Sequence, residues 1–349
     1  MATPKTVRIL SIDGGGCRGY MSLCFMERFL AQWGVDPTKL YQYFDVMAGA
    51  SAGGILIGGA AKGISPTEAK TFFTEKAPWI FTIRTAADVL AGSINASTPS
   101  NRPDTLQKVV MLGLADPFYK AVDPASNYGD VRLQAEVANL CGTAKLSDLP
   151  TNVVFPSFEM QTYTPILFSN ANLPDYTGAD YLLKDVICST AAAPIYFPPI
   201  FIQNGQYMDG GLWANNPVLW GYELAKLLYP DAKRFCILSV GSGLGDVGFH
   251  VPEGQPAPSG GIPLLFALLG YSMCSAQEGN ARVIEEEATL EDNHLFYYRF
   301  QTVLDRVAYD TRIDNSDPEF FAYLETAMNA QYNTDAFEIA QFISRLNDE

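Results

Sequence analysis

Histidine is nearly missing from this sequence: His250 and His294 are the only two in 349 residues. That argues against a metal centre built on imidazole ligands. It also leaves any mechanism with a histidine base only two candidates. Cysteine is sparse and without pattern. Its six occurrences, at 17, 24, 141, 188, 236 and 274, form no C-x-x-C pair and no Cys/His cluster. This argues against a zinc site and, in a chain long enough to bury a sizeable core, against a disulfide framework. They read as reduced, mostly buried thiols of a cytosol-like compartment. Positive charge is short as well. With 23 Lys and Arg against 38 Asp and Glu, the net charge is −15. Such a chain lacks the basic footprint that a nucleic-acid polymer requires and the positive field that anionic membranes attract.

Long hydrophobic runs are also lacking. The longest uncharged stretch, Gly254–Gln277, carries prolines 256, 258 and 263, and its apolar part, Ile262–Cys274, has 13 residues. Roughly 20 are needed to span a bilayer. The run Val7–Ile12 is too short for the core of a signal peptide. The expectation is a cytoplasmic protein, peripheral to membranes, with export by a non-classical route left open.

What is present is a globular composition, 48% hydrophobic and 17% charged. Strand-like and helix-like stretches alternate, which predicts an α/β fold with a largely parallel sheet. Val7–Ile12 reads as a strand, Met21–Trp33 as a helix, Tyr43–Ala48 as a second strand and Ile55–Lys62 as its following helix. Further strands are expected at Val153–Phe158, Pro165–Phe168 and Phe235–Val240. A helix start is expected at Ser65-Pro66-Thr67-Glu68, a surface loop at Ala91–Asp104, and helix over Pro318–Leu346. Charge concentrates at the end: from Glu278 onward there are 16 acidic and 5 basic residues. This is the pattern of a solvated helical face or of a docking surface for a basic partner.

Three motifs carry chemistry. Gly49-x-Ser51-x-Gly53 lies between an apolar strand and a helix, the setting of a nucleophile elbow. There the serine projects at a helix N-terminus, which favours developing negative charge. The competing role for Ser51 is a helix cap in a tight crossing. The turn Gly14-Gly15-Gly16 offers backbone N–H groups for an oxyanion, with Arg18 able to hold it. Gly14, Gly16 and Gly19 also fit a dinucleotide-binding G-x-G-x-x-G, but no second strand delivers the acidic residue that motif needs. Asp209, in Asp209-Gly210-Gly211, follows a short strand-like run. In a dry site its carboxylate could take a serine proton directly, whereas alone the tripeptide is only a hairpin turn.

In this order the three motifs resemble those of the patatin-like phospholipase family: Asp-Gly-Gly-Gly-x-Arg/Lys-Gly, then Gly-x-Ser-x-Gly, then Asp-Gly-Gly/Ala. Three further segments are similar to family blocks: Cys188–Pro198, Asn215-Asn216-Pro217 and Ser239–Gly243. The resemblance implies a three-layer α/β/α fold with a central, mostly parallel sheet. It implies a patatin-like catalytic core over 7–245, with 246–349 a helical extension packed on the same domain as a lid or regulatory segment. It implies Ser51 as nucleophile, Asp209 as its base, and the N–H groups of Gly14, Gly15 and Gly16 as the oxyanion hole. Arg18, Gly19, Gly49, Gly53, Gly210 and Gly211 would support the motifs. Cys17 departs from the family's usual aliphatic residue at little cost in size.

The activity implied is calcium-independent phospholipase A or lysophospholipase action at a transient lipid interface, with no cofactor and no metal. Some bacterial members are effectors switched on by a host protein or a cyclic nucleotide, so an activator protein or nucleotide is a further expectation. Ile262–Tyr271 and Trp79-Ile80-Phe81 are the candidate lid or interfacial segments, each readable also as core. Two rival readings remain: an esterase with His294 as base, and a silent storage or interaction protein.

Overall fold

The computed structural model describes residues 6–81, 130–178, 180–245, 261–290 and 294–348. His250, the expected loop Ala91–Asp104 and the segment 254–260 lie outside them.

Eight strands form one sheet: β1 (Thr6–Ile12), β2 (Val46–Gly49), β3 (Asn152–Glu159), β4 (Thr164–Ser169), β5 (Ile200–Ile202), β6 (Gly205–Asp209), β7 (Arg234–Val240) and β8 (Leu295–Phe300). Strands β3-β2-β1-β7-β8 are parallel; β4 and β6 join β3 antiparallel, and β5 pairs with β6. The strands are apolar on both faces, as a covered parallel sheet requires. In β1, Val7 and Ile9 enter one core while Leu10 and Ile12 enter the other; in β7, Phe235 and Ile237 oppose Cys236, Leu238 and Val240 in the same way. Helices Gly19–Trp33, Ala52–Ala61, Leu183–Thr190, Pro318–Thr334 and Ala336–Asn347 contribute to the first core, and Val218–Leu228 to the second. The result is three layers, helix–sheet–helix.

Three details differ from the expected elements. Tyr43 ends a helical turn, Leu40–Tyr43, and the strand starts only at Val46. The C-terminal helical stretch is two helices that meet at Asp335. The segment after 245, expected to be helical, also supplies β8, whose residues pair with Phe235–Val240 in the central sheet. Its aromatic run, Leu295–Phe300, follows Asp292-Asn293 and fits a strand in composition, but its place beside β7 is set by a pairing that no local rule encodes. Among the described residues, no helix is long and apolar enough to cross a membrane.

Register places the site. Strand β2 pairs with β3 only from Asn152 to Val154. Strand β4 occupies the other edge of β3, so β6 takes up the edge that β2 leaves, from Ser157 onward. Asp209 pairs with Ser157, three residues beyond the Ala48–Val154 pair. The last residue of β6 is thereby delivered to the point where β2 turns into its helix.

Candidate active site

Ser51 sits on that turn with φ 53° and ψ −127°, a strained conformation for a residue with a side chain. The elbow is tight because a Cβ at Gly53 would overlap the Ile12 carbonyl oxygen, and one at Gly49 would overlap the Gly53 carbonyl. Ser51 is the N-cap of helix Ala52–Ala61 by position, yet its side chain makes no capping bond. Instead Ser51 Oγ donates to Asp209 Oδ2 at 2.7 Å. Its N–H donates to Thr190 Oγ1 at 3.2 Å, and the Thr190 hydroxyl in turn donates to the Pro156 carbonyl at 2.5 Å.

Asp209 is buried, 1% exposed. Its Oδ1 accepts from Gly211 N–H at 2.6 Å, and its own N–H donates to the Ala192 carbonyl at 3.0 Å. Burial pushes its carboxyl up to about 7, while the bonds from Ser51 and Gly211 pull the other way. A base poised near neutrality follows from placing one carboxylate in a dry site where burial outweighs the hydrogen bonds from Ser51 and Gly211. Gly210 closes against Pro156, where a Cβ would overlap the carbonyl oxygen.

The glycine turn follows β1. Gly14 N–H donates to the Asn215 carbonyl at 2.9 Å, and the Gly14 carbonyl accepts from Ser242 Oγ at 2.8 Å. Gly14 is therefore a pinned residue rather than a donor open to substrate, which narrows the expected trio to Gly15 and Gly16. Among the described residues no acceptor pairs with either of those amides. Gly16 has φ +57°, and a Cβ there would overlap the Ile313 carbonyl, which accepts from Cys17 N–H at 2.7 Å. Arg18 is buried and closes the turn through its N–H on the Gly15 carbonyl at 3.1 Å. Gly19 lets the following helix approach Phe73 and Ala52.

An apolar cavity opens beside Ser51 and Gly16. Ile55, Phe73, Ile80, Leu133, Ala193 and Phe197 are among its walls. Of the expected interfacial segment Trp79-Ile80-Phe81, Ile80 and Phe81 thus face this cavity, while Trp79 is about half exposed. In helix Gly261–Leu290, Leu269 is buried and Leu268 and Tyr271 are about half exposed.

His294 is elsewhere. It precedes β8 at the opposite end of the strands from Ile12, Val240 and Phe300, so about 20 Å of strand separates it from the site. Its Nδ1 lies 2.7 Å from the Lys233 carbonyl and its ring packs on Phe235. This placement removes it as a base for Ser51. His294→Gln is expected to leave ester hydrolysis within about twofold of wild type, measured as initial rate on a soluble ester.

Thr190, Asn215 and Ser242 support the site and were named only as parts of motif blocks. Ile313 reaches the turn at Gly16 and Cys17, and Gln277 and Arg299 bond the Asp13 carboxylate just before it; nothing local in the sequence marks these three residues from the far end of the chain.

The family model for patatin-like phospholipase matches residues 10–219. Patatin-like protein 2 of Arabidopsis thaliana is 31% identical over 268 residues, which cover 68% of this chain and 60% of that protein. A cGAMP-activated phospholipase of Escherichia coli (strain TW11681) is 31% identical over 218 residues, 60% of this chain and 53% of that protein. One of the same name from Vibrio cholerae serotype O1 is 28% identical over 328 residues, 89% of this chain and 86% of that protein. The chain thus spans little more than half the length of the first two relatives.

Proposed function

This chain belongs to the patatin-like phospholipase family, and from that membership we propose that it is a lipid acyl hydrolase, a phospholipase A or lysophospholipase working through Ser51 and Asp209. The observation that carries the proposal is the 2.7 Å bond from the Ser51 hydroxyl to the Asp209 carboxylate beside an apolar cavity. The acyl chain enters the cavity and its ester carbonyl lies over Ser51. Asp209 takes the hydroxyl proton as Oγ attacks the carbonyl carbon. The N–H groups of Gly15 and Gly16 hold the tetrahedral oxyanion, aided by the N-terminus of helix Ala52–Ala61. Asp209 returns the proton to the departing alkoxide, a lysolipid or glycerol species, and an acyl-Ser51 ester remains. Water, deprotonated by Asp209, adds to that ester and displaces Ser51, which recovers the proton; free fatty acid leaves.

The test is fatty-acid release from phosphatidylcholine and lysophosphatidylcholine vesicles with calcium chelated. Release that needs both residues supports the proposal; release that survives Asp209→Asn overturns the assignment of the base. We propose further that a nucleotide activates this hydrolase. The Vibrio cholerae relative, named for activation by cGAMP, is matched over 86% of its length. The assay is therefore run with and without cGAMP, and stimulation is the expected result.

The pH profile follows from the base. Asp209 must be ionised to accept a proton, and its carboxyl lies at about 7. The value of kcat/KM is expected to rise with pH, to reach half its plateau near 7 and to fall about tenfold per unit well below it. A flat profile from pH 5 to 9 would contradict this role.

A further inference from the structure

Asp13 is fully buried at the end of β1, one residue before the glycine turn. Among the described residues, the side chains that hold its carboxylate, Arg299 and Gln277, both come from outside the segment 10–219 that the family model matches. Arg299, on β8, donates from Nη2 to Oδ2 at 2.8 Å and from Nη1 to Oδ1 at 3.3 Å. Gln277, on helix Gly261–Leu290, donates from Nε2 to Oδ2 at 2.6 Å. Arg299 Nη1 also reaches Ser239 Oγ at 2.8 Å, which fixes the guanidinium against β7. The Asp13 N–H donates to the Val240 carbonyl at 3.0 Å. Glu278, at 3.7 Å from Arg299 Nη2, adds a second carboxylate at the rim.

A two-pronged guanidinium fixes the plane of a carboxylate as well as its position. With its carboxylate held by Arg299 and Gln277 and its N–H by the Val240 carbonyl, Asp13 is an anchored residue at the point where the chain leaves β1. The next residues, Gly14 to Gly16, have no side chains with which to fix themselves. Among the bonds that restrain them are those of Asn215 and Ser242 at Gly14, the Arg18 N–H on the Gly15 carbonyl, the Gly19 N–H on the Gly16 carbonyl and the Ile313 bond at Cys17, none of which engages the Gly15 or Gly16 N–H. Small rotations of the turn would swing the Gly15 and Gly16 amides away from the oxyanion, and amide stabilisation falls steeply with misalignment.

We propose that Arg299, seconded by Gln277, is a positioning residue for catalysis: through Asp13 it aims the Gly15 and Gly16 amides at the oxyanion. The C-terminal third is then a working part of the active site and not only a cover for it. The inference rests on the acyl-hydrolase reading above.

The experiment compares wild type, Arg299→Lys and the double variant Asp13→Asn/Arg299→Met, all in the full chain, on phosphatidylcholine vesicles with cGAMP present. Lysine keeps the charge but loses the fork. The double variant removes both charges, so it leaves no buried carboxylate unpaired and serves if the lysine variant does not fold. Each folded variant is expected to show a kcat lowered about 10- to 100-fold with KM within about threefold. The rate at which a long-chain alkyl fluorophosphonate labels Ser51 should fall by a similar factor, because its phosphoryl oxygen uses the same amides. A merely structural role would move neither kcat nor the labelling rate in protein that remains folded at the assay temperature. Folded variants with wild-type kcat and labelling overturn the inference alone. A wild type that releases no fatty acid, or whose release survives Ser51→Ala, overturns the acyl-hydrolase reading and the inference with it.

Discussion

Ser51→Ala is expected to lower fatty-acid release by about ten-thousand-fold while leaving the fold in place. The size follows from the role. A nucleophile that forms the covalent intermediate has no substitute nearby, and what survives its removal is the weak catalysis left to binding and the oxyanion amides. The structural cost is small. Alanine occupies the same elbow, since the glycines that permit it are Gly49 and Gly53, which are untouched. The lost bond leaves Asp209 with its contact to Gly211 N–H. Because the Ser51 bond pulls the Asp209 carboxyl down, its loss moves that group further up, so the buried acid is more often neutral and better tolerated. Circular dichroism and thermal melting should match wild type within a few degrees. A variant that keeps a tenth of the activity would mean that another residue carries the acyl group.

Asp209→Asn should lose about a thousand-fold or more in kcat and, against ordinary expectation for an active-site change, gain stability in alkaline solution. The amide keeps an oxygen for Gly211 N–H and can donate to Ser51 Oγ, but it accepts no proton. The stability argument has a definite sign. The Asp209 carboxyl is raised from the usual 3.8 to about 7 by burial, so the folded protein holds this proton more tightly than the unfolded chain does. The protein is then most favoured below pH 4. It loses that advantage progressively between pH 4 and 7, and above 7 it bears the full cost of an ionised buried carboxylate. A shift of about three units corresponds to roughly 4 kcal/mol. Asparagine is exempt from this loss. Melting at pH 5 and pH 9 should show the variant's advantage over wild type growing with pH. An advantage equal at both pH values, or present only at the lower one, would mean that Asp209 is not the destabilised group.

These two residues were legible in the sequence for a physical reason. A nucleophile elbow demands glycines where a Cβ would strike a carbonyl, so Gly49 and Gly53 announce Ser51 within five residues. Gly210 and Gly211 do the same for Asp209, one by making room against Pro156 and the other by donating its N–H to the carboxylate. The strands were legible from their apolar runs. Other features escaped because no local rule encodes them. Arg299 reads as one charge in an aromatic strand, and its role depends on the pairing of β8 with β7 across 60 residues. Gly14 was assigned with its neighbours, and only the Asn215 carbonyl separates it from them. Ile313 approaches Gly16 from a loop that no motif marks.

The central claim is that Ser51, activated by Asp209, attacks the acyl carbonyl. Its most direct test is intact-mass spectrometry after exposure to a long-chain alkyl fluorophosphonate, with the adduct mapped by peptide sequencing. The account predicts a single adduct on Ser51 in wild type, none in Ser51→Ala, and much slower labelling in Asp209→Asn. An adduct on another residue, or lipid hydrolysis by a protein that takes no adduct at Ser51, would contradict it.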